Sequence, residues 1–488
     1  MNLKSLAKSS FLYLLGNVAS RAVGFLMIPV YARCLRPDEY GLIELLELCT
    51  QVAAICIGLQ SVGGAMSRIY FEYSDRRDRA AVVSSAVLST AGLGTALAVL
   101  AVTAAAPLSL LTLGSRQYAS LTATAFVAMS LATLGEVVLV YYRMLDKAVF
   151  FVGYSLVQLV VSLTLNIYFI KFQGMGVWGF VYTKLITGAS GTLLLSCLLF
   201  RETGIHWRWE PVKKMAIFGY PLIVSSLAMF IIHFSDRFFL EKLGGLTAVG
   251  VYALAYKFAF LVTYLVGEPF AKVWYATVYS YTRQDGWLDD FLRIGRYLVF
   301  CLFLAGLAVA LFINQAMAIV ASPAFAAAAG LVPVLALGYV LRGMGDFYRS
   351  LLYVHMRSAQ ASQIAAFCGF VNLALNYWLI QNYLAFGAAY ATLLTWAAYL
   401  GCCWSMSRKQ YQIAFPLKSF ALVFCTAAGV YWCSRWQPDL PAVFQWGRSA
   451  LLLVMFVGLL WMFRYFPLRE RELIYCRLAR LRCKLTSE

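Results

Sequence analysis

The chain has 488 residues, 62% of them hydrophobic and 13% charged, with a mean hydropathy of +0.74. That composition excludes a soluble globular protein and describes a polytopic membrane protein. A net charge of +18 invites a nucleic-acid reading, but the basic residues sit between apolar runs, in the positive-inside pattern of a bacterial-type inner-membrane protein, so no nucleic acid is expected as a partner.

Fourteen apolar runs are long enough to cross a bilayer as helices. They lie near residues 9–32, 40–64, 81–106, 118–141, 148–171, 176–199, 214–236, 247–270, 294–320, 326–345, 360–381, 386–406, 417–434 and 447–466. The first is long and lacks an A-x-A exit, so no cleaved signal peptide is expected. An even count places both termini on one side. Lys and Arg divide 28 to 8 in favour of that side, which predicts cytoplasmic termini for a multi-pass inner-membrane protein.

In the first span Tyr13, Asn17, Ser20, Arg21 and Gly24 share a face. Arg21 lies too deep to snorkel; it either pairs with Glu44 or Glu47 of the second span or faces a cavity, where its planar fork suits a phosphate. The second span ends in Arg68-Ile-Tyr-Phe-Glu-Tyr and a mixed-charge hairpin, placing Arg68 and Tyr70 where a lipid head group arrives. The fourth span carries Glu136. The sixth carries Lys184, with Gly188 and Gly191 permitting close helix approach. The seventh carries His233, Asp236 and Arg237.

The eighth span is the most informative. At 100° per residue, Lys257, Tyr264, Glu268 and Tyr275 fall within about 40° of one another. Ionised groups on a membrane helix face protein or water. The stripe is therefore either a structural Lys–Glu arrangement that fixes helix packing or the wall of an aqueous cavity. Lys272 lies on the same segment.

An internal repeat emerges from the spacing. Gly41 and Gly250 are 209 residues apart, Asn166 and Asn376 are 210 apart, and Thr183 and Thr392 are 209 apart. Six spans per unit give the two halves the same orientation, with an axis along the membrane normal and a site between them. The expected divisions are 1–208 and 209–414 for the two six-helix lobes, 415–466 for helices thirteen and fourteen, and 467–488 for a basic tail. In that tail Ile474, Leu478, Leu481 and Leu485 form one stripe among arginines, which suits a helix lying on the anionic leaflet or, less simply, a partner surface. The twelve cysteines show no ligand spacing, and no nucleophile–base pair, P-loop or metal site is present in the sequence pattern. The chain reads as a non-enzyme without a cofactor.

These residues resemble a known family. Gly16-Asn17 … Pro29 … Arg33 … Leu35 … Gly41, Arg68-Ile-Tyr-Phe-Glu-Tyr-Ser-Asp, Asp236-Arg237-Phe, Val249-Gly-Val-Tyr-Ala-Leu-Ala-Tyr-Lys257 and Asn372 … Asn376 … Gly387-Ala-Ala-Tyr-Ala-Thr392 together are similar to the polysaccharide transporters, which include the O-antigen, capsule and exopolysaccharide-unit flippases. That family belongs to the multidrug/oligosaccharidyl-lipid/polysaccharide exporter superfamily. The resemblance implies an all-α integral membrane fold, with two parallel six-helix repeats around a central cavity plus two C-terminal helices, and alternating access. It also implies a substrate oligosaccharide on undecaprenyl diphosphate, moved to the outer leaflet for surface polysaccharides such as lipopolysaccharide. Membrane lipids and other polysaccharide-assembly proteins are the expected partners. Leu384 departs from the pattern, standing where the family usually has Gly.

The candidate substrate-binding residues are Asn17, Arg21, Arg68, Lys184, Arg237, Lys257, Tyr264 and Lys272; Glu136, His233 and Glu268 are candidates for coupling to H⁺ or Na⁺. A multidrug or cation exporter of the same fold is the alternative, and it requires a carboxylate-rich cavity. A polymerase or glycosyltransferase fits less well, because the outward loops are short and lack clustered polar residues.

Overall fold

The computed structural model describes residues 26–282, 286–354, 358–436 and 441–466; every regular element among them is helical. In chain order these are α1 (Ile28–Cys34), α2 (Pro37–Cys56), α3 (Leu59–Tyr70), α4 (Arg76–Thr103), α5 (Ala105–Leu113), α6 (Ala119–Met144), α7 (Ala148–Asn166), α8 (Val177–Thr203), α9 (Trp209–Ala259), α10 (Glu268–Tyr281), α11 (Trp287–Val320), α12 (Ala328–Val354), α13 (Ser358–Tyr411), α14 (Leu417–Arg435) and α15 (Ala442–Met462). Large apolar side chains such as Leu111, Val157, Leu193 and Trp432 are exposed on the helices, the reverse of a water-soluble surface.

The helix count agrees with an architecture of about fourteen spans. Among the described residues, ten helices are long and apolar enough to cross a membrane, or eleven when α2 and α3, bent by 44°, are taken as one. That bend falls at Gly58, whose φ of +76° is open to glycine. Two of the long helices hold two spans each: α9 breaks at Gly245 and α13 at Leu384. Thirteen of the expected spans are thereby located, and the first, 9–32, lies mostly outside the described residues. The basic tail, 467–488, also lies outside them.

Contacts divide the chain into two compact units. The first holds the described residues up to Leu254 with Ile319–Ala327 and Gly369–Ala388; the second holds Ala255–Ala318, Ala328–Cys368 and the described residues from Ala389 onward. In the first unit α6 packs against α4 and α8. Small residues set that approach: a Cβ on Gly188 would lie 3.1 Å from the Ala128 carbonyl oxygen, and Thr192 donates to the Leu131 carbonyl at 2.5 Å. In the second unit α10 packs against α12, anchored by Trp274 Nε1 donating to Ser350 Oγ at 2.8 Å, and α14 packs against α15.

The repeat is written into the packing. Helix α2 opens with Pro37 in its first turn, and the Arg36 N–H donates to Glu39 Oε2 at 2.9 Å. A Cβ on Gly41 would strike the Leu246 carbonyl oxygen, and a Cβ on Gly250 would strike that of Pro37. Pro37 and Leu246 are 209 residues apart, as are Gly41 and Gly250. Equivalent residues thus face each other reciprocally, the signature of a local two-fold contact.

The second signature is a joint. Gly176, between α7 and α8, has φ 54° and ψ −129°, with the Trp178 N–H bonded to the Met175 carbonyl at 3.1 Å in a tight turn. Leu384, 208 residues on, has φ 47° and ψ −124°. The departure noted in the sequence therefore leaves the turn unchanged. Leucine adopts the glycine conformation and carries a strain of about 1–3 kcal/mol.

Candidate functional site

Each unit contains a cavity lined by ionised groups inside its helices. In the first unit a cavity of about 400 Å³ is lined by Glu47, Thr50 and Gln51 of α2, Thr133 and Glu136 of α6, and Lys184 of α8. Lys184 Nζ lies 3.1 Å from Glu47 Oε1 and 5.3 Å from the centre of the Phe180 ring. The α6–α8 approach at Gly188, one turn beyond Lys184, is what brings Lys184 and Glu136 to one cavity. Two carboxylates and one lysine line it.

In the second unit a tighter cavity of about 180 Å³ lies among α10, α11 and α12. It is lined by Glu268, Arg342, Asp346 and Arg349, with an aromatic wall that includes Phe260, Trp274, Tyr275 and Tyr339. Asp346 is its hub. Arg349 Nη2 lies 2.9 Å from Asp346 Oδ1, Arg342 Nε lies 3.8 Å from Oδ2, and the Tyr399 hydroxyl donates to Oδ1 at 2.8 Å. The Tyr275 hydroxyl donates to the Asp346 carbonyl at 3.2 Å. The Arg342 guanidinium sits 5.1 Å from the Trp396 ring centre, 5.9 Å from Tyr339 and 6.0 Å from Phe260. Arg342 Nη1 and Arg349 Nε are buried and have no hydrogen-bond acceptor among the described residues. One aspartate thus holds two guanidinium groups, each with an N–H left over for a further acceptor.

The eighth span is not one regular helix. After Phe260 the chain passes through a π-helical turn, Thr263–Gly267, before Glu268 opens α10 with Pro269 in its first turn. Pro269 has no N–H to return to the preceding turn, which favours the wider winding. An extra residue in the turn shifts the phase by about 100°. Glu268 and Tyr275 consequently line the cavity, as do Phe260 and Thr263, whereas Lys257, Tyr264 and Lys272 are not among its lining residues. The single stripe expected from an ideal wheel is split. Lys257 is half-buried, and Lys272 and Tyr264 are exposed, Tyr264 packing edge-on to Phe260 at 4.8 Å.

The remaining candidates fall elsewhere. Arg237 is only 1% exposed, with Asp236 Oδ1 at 2.8 Å, Glu44 Oε1 at 3.7 Å and the rings of Phe234 and Tyr252 beside it. The Tyr252 hydroxyl donates to Asp236 at 2.5 Å. This is a compact buried ion cluster joining α2 and α9. His233 is half-buried and its carbonyl accepts from Arg237 at 2.8 Å. Arg68 lies exposed with its guanidinium 4.7 Å from the Phe218 ring centre. Asn17 and Arg21 lie outside the described residues; of the two carboxylates considered for Arg21, Glu44 meets Arg237 and Glu47 meets Lys184. Asn372 and Asn376 form a buried network in the first unit, with Ser235 Oγ donating to Asn372 Oδ1 at 3.0 Å and Asn376 Nδ2 donating to both. Among the described residues, no group of His, Cys, Asp and Glu could hold a metal.

Sequence reasoning missed Arg342, Asp346 and Arg349. The tenth span was expected to end at 345, which assigned the later charges to a loop, but α12 continues as helix to Val354. The i, i+4, i+7 spacing of the three residues is the signal that places them on one face.

No curated protein matches the chain by sequence. Several solved structures share its fold. The lipid II flippase MurJ in an inward closed conformation aligns with a TM-score of 0.72 at 13% identity, covering 95% of this chain and 100% of that one. A MATE transporter in the straight conformation aligns at 0.58 and 15% identity, over 83% of this chain and 95% of that one. A MOP superfamily transporter from Pyrococcus furiosus aligns at 0.56 and 16% identity, with the same coverages of 83% and 95%. The family described as "Polysaccharide biosynthesis protein" matches residues 30–293, which take in α2, the Gly41–Gly250 contact, both carboxylates and the lysine of the first cavity, and the start of α11. With more than half of its length matched, the chain belongs to the polysaccharide biosynthesis protein family.

Proposed function

We propose that the protein is a flippase that carries an undecaprenyl-diphosphate-linked oligosaccharide from the cytoplasmic to the outer leaflet of a bacterial inner membrane by alternating access. Both termini are then cytoplasmic, as the 28-to-8 charge division requires. The observation that carries the reading is the Arg342–Asp346–Arg349 cluster. Guanidinium forks match phosphate oxygens, and two of their buried N–H groups lack an acceptor among the described residues. The aromatic wall beside them offers faces on which sugar rings stack. Asp346 and Glu268 balance the arginines when no substrate is present, so the empty cavity carries no net formal charge.

The first cavity has a different balance, and its extra carboxylate favours a cation. Within the same reading, Glu136 and Glu47 take up the H⁺ or Na⁺ that drives transport. A multidrug or cation exporter is the second reading which that cavity supports. Proteoliposomes separate the two. Labelled lipid-linked oligosaccharide should cross in wild type and be blocked in Arg342→Gln, while a lipophilic cation such as ethidium should not be extruded. Ethidium extrusion without oligosaccharide movement would overturn the proposal.

A further inference from the structure

A third ionised cavity, of about 480 Å³, opens at one end of the first unit, away from the cavity already described. It forms where the end of α3, the start of α4, the α6–α7 turn and the end of α8 converge, at the membrane end that carries the positive loops. Arg76, Arg79, Lys147 and Arg201 line it, and Glu202 is its one carboxylate. Glu202 is taken by Lys147, whose Nζ lies 2.9 and 3.1 Å from its two oxygens. Arg79 donates from Nε to the Tyr73 carbonyl at 2.7 Å and lies 5.2 Å from the Tyr70 ring centre, so it is held in place without being neutralised. Arg76 and Arg201 make no ion pair among the described residues.

The wall is built as well as charged. Tyr70 and Tyr141 are 9% and 8% exposed, pack edge to face at 6.4 Å and line the cavity, and neither hydroxyl has a hydrogen-bond partner among the described residues. A general positive fringe would spread its cations over a convex surface. Here three unneutralised arginines ring a concavity that also presents two vacant O–H donors. Vacant donors, with positive charge in excess, at head-group depth, match the oxygens of a phosphate.

We infer that this cavity binds the phosphate of an anionic lipid head group in the leaflet facing the positive loops. The site is independent of substrate transport, because none of its residues lines either transmembrane cavity. The lipid joins the start of α4 and the end of α8, which otherwise repel one another through their arginines.

The test uses the full-length protein in nanodiscs of phosphatidylglycerol mixed with phosphatidylcholine, with native mass spectrometry counting the phosphatidylglycerol retained. Wild type should retain it selectively. Arg76→Gln and Arg201→Gln, both at exposed positions, should each weaken retention about fivefold, since a basic residue near the surface contributes on the order of 1 kcal/mol. Tyr141→Phe preserves the ring and should weaken it about threefold, the loss of one modest hydrogen bond. Equal retention of phosphatidylglycerol by wild type and the Arg76→Gln/Arg201→Gln double variant, with both folded by circular dichroism, overturns the inference. Displacement of the lipid by millimolar inorganic phosphate or diphosphate would also overturn it, assigning the site to a soluble anion instead.

Discussion

The two transmembrane cavities hold their charges in opposite ways. In the first unit, Lys184 and Glu47 form one ion pair with side chains 55% and 42% exposed, and Glu136 stands in the same cavity. In the second, a single carboxylate is braced by two arginines and a tyrosine, with Arg342, Arg349 and Asp346 only 18%, 22% and 27% exposed. An exposed pair contributes little to stability and opens at little cost. A shared, enclosed pair is expensive to break, because removing one partner strands the others. On the proposed function, the first cavity is the one suited to exchanging an ion with its surroundings, and the second the one suited to holding a larger anionic group in a fixed frame.

The sharpest way to break this comparison is Asp346→Ala. It leaves two guanidinium groups without their carboxylate and Tyr399 without its acceptor, and should cost about 3–5 kcal/mol. Thermal unfolding in detergent would show it as a large drop in midpoint. A drop no greater than that of an exposed ion pair would mean that the cluster is solvated and the contrast between cavities false.

Arg342→Gln comes next. Asp346 keeps Arg349 and Tyr399, so the stability cost should be about 1–2 kcal/mol, mostly the lost contacts between the guanidinium and the three rings. Transport of lipid-linked oligosaccharide should fall much further than stability does. Wild-type transport by a folded Arg342→Gln protein would remove this residue from the substrate site.

Much of this comparison is legible in the amino-acid sequence. The spans follow from hydropathy, because lipid demands about twenty apolar residues whatever the neighbours are. Glu136 and Lys184 stand out because ionisable groups inside a span are rare. Gly41 and Gly250 announced the repeat, since only glycine admits a carbonyl oxygen from the facing helix at that distance. The rest depended on features that sequence periodicity does not register. The π turn at Thr263–Gly267 alters the phase of the helix without altering its hydropathy, so Lys257 and Glu268 were assigned to one face. Asp346 and Arg349 looked like loop charges because charged residues lower the local hydropathy even where the helix runs on, which left Arg342, inside the expected tenth span, without its partners. Arg237 was legible as an ionised group near a membrane, but not as a residue enclosed by Asp236 and Glu44, since Glu44 lies in a distant stretch of chain.

Lys184→Gln tests the other side of the contrast. It removes one half-exposed ion pair and should change unfolding by no more than about 1 kcal/mol. A loss of 3 kcal/mol or more would show the pair to be structural, like that of Asp346.

Glu136→Gln should have the smallest effect on stability and is the most informative about mechanism. Glutamine has nearly the same shape, and Glu136 makes no ion pair or hydrogen bond among the described residues, so the folded protein loses no specific contact and should unfold within about 0.5 kcal/mol of wild type. What changes is the charge of the cavity: with Glu136 neutral, Glu47 and Lys184 cancel, and no excess carboxylate remains for a cation. If the first cavity carries the coupling ion, Glu136→Gln proteoliposomes should still exchange lipid-linked oligosaccharide between leaflets down its own gradient. They should fail to respond to an imposed H⁺ or Na⁺ gradient, and oligosaccharide binding should be unchanged, because the arginines of the second cavity are intact. A Glu136→Gln protein that accelerates under the same ion gradient as wild type would dissociate this cavity from coupling. A loss of oligosaccharide binding itself would place substrate, rather than the driving ion, beside Glu136.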